Sequence, residues 1–212
     1  NSGHVRVYKR DTSVPLGWTK LGDDIDGEAS NDAFGSSVSL SADGSIVAIG
    51  ATLNDGNGLN SGHVRVYQFS NDSWTQLGSD IDYAGTGSDS DIDNELDEND
   101  YFGISVSLSS DGSKVAIGAY NSSGFHNNCG IVRVYKRDTN NPLGWSQIGG
   151  DIEGEAANDN SGYTISLSND GAIVAIGAFG ANTDNSGKVR VYKRDTSETI
   201  GWSKLGEDID GE

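Results

Sequence analysis

The chain has 212 residues, with 30 glycines, 34% apolar residues and 32 acids against 14 bases, for a net charge of -18. That charge argues against nucleic acid or an anionic membrane surface as partner, because both need clustered Lys and Arg. Only two prolines accompany the glycine, so the composition is neither collagen-like nor a Pro-rich linker, and no apolar run approaches the ~20 residues of a membrane-spanning helix.

The first segment, residues 1–28, carries Val5-Arg6-Val7-Tyr8, Trp18 and Asp24-Ile25-Asp26. Each returns. Val64, Val132 and Val189 open the later copies of the Val-Arg-Val-Tyr run, at spacings of 59, 68 and 57 residues. Trp74, Trp145 and Trp202 repeat Trp18, and Asp80-Ile81-Asp82, Asp151-Ile152-Glu153 and Asp208-Ile209-Asp210 repeat the acidic triplet. Every tryptophan is therefore a repeat residue.

Within a unit the pattern reads as strands only. Ser36 to Ser41 alternates apolar and serine, the period of two of a half-buried strand. Asp43-Gly44 follows as a tight-hairpin signal, repeated at Asp111-Gly112 and Asp170-Gly171. Ile46 to Ala51 is apolar on both faces and is expected to be buried on both. A loop rich in Gly and Asn leads to a third strand, His63 to Gln68, and a fourth runs from Trp74 to Ile81. About fourteen strands in seven hairpins are expected over the chain, with Val38, Leu40, Ile46, Val47, Ile49, Val64 and Val66 in the cores between units.

Four strands per ~60 residues is the blade of a radially repeated β-sheet protein. The expectation is an all-β, β-propeller-like array of four-stranded antiparallel blades, about 3.5 repeats in a single domain. Residues 1–28 form a half blade; 29–83, 101–154 and 155–212 are blades, and 84–100 is an acidic insertion. An array of this size is expected to be an open fragment of a longer chain or a protomer of a larger assembly, including a filament. The absence of methionine likewise points to part of a longer product.

Phe34-Gly35, the serine-rich strand, Asp43-Gly44 and Ile49-Gly50-Ala51 together resemble the FG-GAP repeat of integrin-α-type β-propellers. Phe102-Gly103 to Ile117-Gly118-Ala119 repeats the pattern, and the third copy has Ser161-Gly162 instead of Phe-Gly. The Gly-x-Val-Arg-Val-Tyr and Trp-x-x-Leu-Gly segments resemble an extracellular subgroup of such repeats. The resemblance implies a propeller fold at the cell surface or outside the cell. The calcium loop that such repeats carry between their first two strands is not matched by Ala42-Asp43-Gly44-Ser45.

The acidic insertion breaks the repeat. From Trp18 to Phe34 and from Trp145 to Ser161 the chain advances 16 residues, but from Trp74 to Phe102 it advances 28. From Asp82 to Asp100 inclusive there are eight acids and no base. Asp89, Asp91, Asp93, Glu95, Asp97 and Asp100 fall at loop positions 1, 3, 5, 7, 9 and 12, the alternation by which a loop offers oxygens to calcium. A solvated acidic loop is the other reading.

The remaining candidates are weaker. Ten of the fourteen bases lie in the third strands, where cross-strand ion pairs or a sulfate- or carboxylate-binding stripe would both account for them. His4 and His63 share a position filled by Ile131 and Lys188 in other copies, which argues against acid–base or metal work there. His126 and Cys129 share a loop, but two ligands do not make a metal site; Cys129 has no partner for an intrachain disulfide. Asn71-Asp72-Ser73 and Asn121-Ser122-Ser123 are glycosylation sequons in loops. No nucleophile motif or phosphate loop is found. The expected function is a non-catalytic extracellular structural or adhesive repeat protein, self-associating or fibre-forming; the alternative is a calcium-assisted module for glycan or protein ligands.

Overall fold

The computed structural model describes residues 2–13, 15, 17–84, 99–141, 144–182, 186–197 and 201–212. They form 19 short strands and no helix, so none is long and apolar enough to cross a membrane. All strand pairings are antiparallel, in three five-stranded sheets and two small two-stranded ones. The half unit holds β1 (His4–Val5), β2 (Tyr8–Arg10), β3 (Trp18–Lys20) and β4 (Ile25–Asp26). Blade 1 holds β5 (Phe34–Leu40), β6 (Ile46–Ala51), β7 (His63–Ser70), β8 (Ser73–Gln76) and β9 (Ile81–Asp82). Blade 2 follows with β10 (Ser105–Leu108), β11 (Lys114–Ala119), β12 (Ile131–Arg137), β13 (Trp145–Gln147) and β14 (Ile152–Glu153). Blade 3 closes the order with β15 (Ser161–Leu167), β16 (Ile173–Ala178), β17 (Lys188–Arg194), β18 (Trp202–Lys204) and β19 (Ile209–Asp210). The sheets stack as blades, and among the described residues none closes into a barrel.

Two expectations about strands are corrected. The fourth strand is two strands: β8 pairs with the end of β7 and β9 with its beginning, Val64 facing Ile81. Between them Gly78 takes a positive φ of 77° and turns the chain out of the ladder, which a continuous strand cannot do. This split raises the strand number above the expected fourteen. The Asp-Gly turns are present, but only Gly44 of the first pair has a positive φ. Asp43 acts through its carboxylate instead, accepting hydrogen bonds from the Ser41 hydroxyl at 2.7 Å and the Ser45 amide at 3.0 Å.

The second strand is buried on both faces in β6, as its sequence predicts, and in β11 beyond Lys114. Its glycine is needed there. A Cβ on Gly50 would stand 2.1 Å from the Gly103 carbonyl oxygen, and one on Gly118 would stand 2.0 Å from that of Gly162. The first strand of each next blade thus crosses directly over the glycine of the preceding second strand. In β16, which has blade 2 against one face and no blade against the other among the described residues, burial alternates although the sequence Ile-Val-Ala-Ile-Gly-Ala is the same.

The predicted core is corrected at two positions. Val38 and Leu40 are 55% and 49% exposed, while their counterparts Val106 and Leu108 are buried at 9% and 7%. Val106 and Leu108 pack on Ile46, Ala48, Val64 and Val66 of blade 1. The half unit supplies Val5 and Ile25 to blade 1, and among the described residues no second strand lies over Val38 and Leu40 as β6 lies over Val106 and Leu108. Ile46, Val47, Ile49, Val64 and Val66 are all buried.

Candidate functional site

The third strands place one arginine per unit at the same register, and each faces the aspartate at the split of the fourth strand. Arg65 grips Asp80 with Nε and Nη2 at 2.9 and 2.8 Å, and Arg133 grips Asp151 at the same two distances. This is the two-pronged fit of a guanidinium to a carboxylate. Arg6 reaches Asp24 at 2.7 Å and Arg190 reaches Asp208 at 3.2 Å. Arg65 also binds Glu28, and Arg190 binds Glu155 and Asp159, acids in the loops leading into their blades. Arg133 donates to the Ala84 carbonyl at 2.7 Å and lies over the Tyr83 ring. The arginines are thus structural fasteners, not an open anion-binding stripe.

Burial alone would lower the pKa of the Arg65 guanidinium, but hydrogen bonds to Asp80 and Glu28 outweigh it and the net direction is up. Asp80 is opposed in the same way: burial raises its carboxyl, Arg65 and Gln76 lower it, and the net direction is down. Glu28, His63 and Asp80 bring potential ligand atoms within 4.8 Å of one another. Both carboxylates are already engaged by the Arg65 cation. Burial, then the charge of Arg65, pushes the His63 imidazole down.

Of the candidate calcium ligands, Asp89, Asp91, Asp93, Glu95 and Asp97 lie outside the described residues, and Asp100 is buried. Asn71 is exposed in the turn between β7 and β8, a position open to a glycan. Asn121 is half-buried and donates its amide to the Asn99 carbonyl at 2.9 Å. Cys129 is buried and His126 exposed, so the two do not form a shared site.

Sequence reasoning missed a strip of aromatic rings. Tyr101 stacks on Tyr120 with ring centres 5.5 Å apart and an angle of 12°, Tyr120 meets Tyr163 edge-on, and Tyr163 meets Phe179 at 4.8 Å. Tyr163 and Phe179 are half exposed. The same repeat positions in the first unit are Ala33, Thr52, Ser36 and again Thr52. The signal was available: these aromatics depart from the repeat, as the acidic insertion does.

The Trp-x-x-Leu-Gly segment also acquires a physical meaning. Trp74 donates its indole N–H to the Leu21 carbonyl at 2.9 Å, Trp145 to Leu77 at 2.8 Å and Trp202 to Ile148 at 3.0 Å. Each tryptophan thus bonds the third residue after the tryptophan of the unit before. Phe34 and Phe102 are buried where one blade meets the next. Residues 25–67, which include Phe34, match the family model described as FG-GAP repeat. Residues 25–67 are similar to an FG-GAP repeat. The later units carry internal copies of the same residues. No curated protein matches the chain. Among solved structures, the chain is similar to Kuenenia stuttgartiensis hydrazine synthase, with 12% identity and a TM-score of 0.47 over 86% of this chain. The chain corresponds to 38% of that protein's length.

Proposed function

We propose that this FG-GAP repeat chain is a non-catalytic, extracellular structural or adhesive protein that associates with copies of itself or with further repeat units. The carrying observation is that the charged clusters recur from blade to blade and are consumed by the architecture. Arg6, Arg65, Arg133 and Arg190 each hold the aspartate of their own unit. A catalytic site needs a group that differs from its copies and keeps a reactive atom available. The two loop sequons, with Asn71 exposed, support an extracellular location.

A second reading, binding of glycan or protein ligands, is favoured by the aromatic strip. Half-exposed tyrosine and phenylalanine rings offer an apolar platform with polar edges. Calcium assistance in that reading rests on the spacing of Asp89 to Asp100 alone.

Adhesion is the test. Beads coated with the full chain are scored against one another and against immobilised glycans and matrix proteins, with and without calcium. Clustering or capture is expected. Beads that stay dispersed and bind neither surface would overturn the adhesive reading. Capture by a glycan, abolished by Tyr163→Ala with Phe179→Ala, would select the second.

A further inference from the structure

The fourteen bases divide into two groups. Eight are consumed by the architecture: the four arginine fasteners, Lys20, Lys188 and Lys204 in ion pairs with the same aspartates, and Lys114 on the Asp170 carbonyl. The other six stand as Lys-Arg pairs at the ends of third strands: Lys9-Arg10, Lys136-Arg137 and Lys193-Arg194. Among the described residues none of these six forms an ion pair. Arg194 is engaged otherwise, donating to the Gly201 carbonyl at 2.6 Å and lying over the Trp202 ring.

Each pair is followed by an aspartate whose carboxylate is turned back into the hairpin. Asp11 accepts from the Ser13 amide at 2.8 Å and the Thr19 hydroxyl at 3.3 Å. Asp138 accepts from the Asn140 amide at 3.0 Å and the Ser146 hydroxyl at 3.1 Å. Asp195 does the same with Ser197 at 2.9 Å and Ser203 at 3.2 Å. The nearest acid in sequence is thus spent on the turn and not on the cations. Blade 1 lacks both parts together: Gln68-Phe69 stands in place of the pair, and the hairpin is cut to Asn71-Asp72. Lys136 and Arg137 are exposed although blades 1 and 3 flank blade 2 on both sides, so exposure is a property of this rim. Successive residues of a strand point to opposite faces, so each pair straddles its blade. Lys136 shares the face of Val132 and Val134, towards blade 3, and Arg194 shares the face of Tyr192, towards blade 2. The two cations approach one junction from opposite sides, on sheets stacked about 10 Å apart.

We propose that this rim of Lys-Arg pairs binds a linear anionic polysaccharide, whose sulfate or carboxylate groups step from blade to blade. Charge complementarity selects the occupant. The body carries a net charge of -18, so cations with no acid paired to them make the rim the place where a polyanion is attracted and the remaining surface one that repels it. Arginine offers a planar fork to a two-oxygen anion, and lysine adds a mobile point charge. A nucleic acid duplex carries one charge per ~1.7 Å and would set most of them against the acidic body. A single thin chain can follow the rim alone. The rim shares no residue with the aromatic strip, so the two sites stand or fall separately.

The experiment measures affinity of the full chain for immobilised heparin and immobilised polygalacturonate over ~0.05–0.3 M salt, a range in which screening of exposed charges changes strongly. Binding to at least one is expected, and the tighter of the two assigns sulfate or carboxylate. Lys136→Gln with Arg137→Gln removes two exposed cations; it should weaken binding at least about fivefold at the low-salt end and flatten the salt dependence. Lys20→Gln with Lys204→Gln removes the same charge from ion-paired positions and should change affinity less than about twofold. Gln68→Lys supplies the lysine that blade 1 lacks and should tighten binding. Thermal melts verify that each variant is folded. No binding to either polysaccharide, equal losses from the rim and ion-paired variants, or tighter binding to duplex DNA than to both polysaccharides would each overturn the proposal. Tyr163→Ala with Phe179→Ala should bind as the wild type does; a loss there equal to that of the rim variant would move the site to the aromatic strip and overturn it as well.

Discussion

Trp145 donates its indole N–H to the carbonyl oxygen of Leu77 at 2.8 Å, across 68 residues of sequence. The bond ties the outer edge of blade 2 to that of blade 1, and Trp145 is buried in the shared core. Trp18 stands at the same repeat position but is 58% exposed.

Trp145→Phe is expected to keep most of the ring packing and lose the bond. The net loss of one such hydrogen bond, with an acceptor left behind, is about 1–2 kcal/mol. Trp18→Phe should change stability by less than about 0.5 kcal/mol, as for an exposed site without a special contact. Urea denaturation of both variants makes the comparison, and equal effects would refute the assigned role of Trp145.

Most of the blade was legible because strand period, turn glycines and repeat all agree. Ile46 to Ala51 was readable to the residue, since a run apolar on both faces has few other homes. Val38 and Leu40 were misplaced for a reason the local pattern does not hold: the burial of a first strand depends on the second strand of the unit before it. The split of the fourth strand was hidden because Trp74 to Ile81 contains the bend at Gly78 and the arginine-bound Asp80 inside one strand-like run. The arginine fasteners were half visible. Their strand position was evident, but the choice between ion pair and open anion site needed the carboxylates placed against them. The aromatic strip joins residues up to 78 apart, from Tyr101 to Phe179, so it is a juxtaposition that only the stacked blades create.

Removing one member of a buried pair leaves the other charge uncompensated. Arg133→Met is expected to destabilise by about 3 kcal/mol, since Asp151 loses both prongs of its partner and has little solvent access. Arg6→Met breaks an exposed copy of the same pair and should cost less than about 1 kcal/mol. Chemical denaturation checks both, and a milder effect at Arg133 than at Arg6 would contradict the burial argument.

Acid stability follows from the turn aspartates and from Asp208. Backbone and hydroxyl hydrogen bonds from Ser45 and Ser41 hold the Asp43 carboxyl down at about 2, and the corresponding bonds from Ser113 and Ser109 do the same for Asp111. Burial alone would raise Asp208, but Lys204, Lys188 and Arg190 bring it to about 2. Each lies below the ordinary value of 3.8, so the folded state binds these protons less readily than the unfolded chain. Their stabilisation is present above that ordinary value and is lost as pH falls through about 2. The melting temperature should drop steeply between about pH 4 and pH 2. Asp43→Asn with Asp111→Asn should flatten that drop, and an unchanged slope would remove the turns from the account.

Gly118 and Gly177 occupy one repeat position in two environments, which makes them a paired test of blade stacking. A Cβ on Gly118 would stand 2.0 Å from the Gly162 carbonyl oxygen, a backbone atom that cannot swing aside. Gly118→Ala is expected to destabilise by about 1–3 kcal/mol, the usual cost of overpacking a fitted interface. A Cβ on Gly177 meets only the Thr164 hydroxyl at 2.3 Å, on an exposed side chain that can rotate. Gly177→Ala should therefore leave the melting temperature of the monomer within a few degrees, equivalent to less than about 1 kcal/mol. Thermal melts of the two variants check this, and equal losses would show that the crossing of Gly162 over Gly118 does not decide the cost.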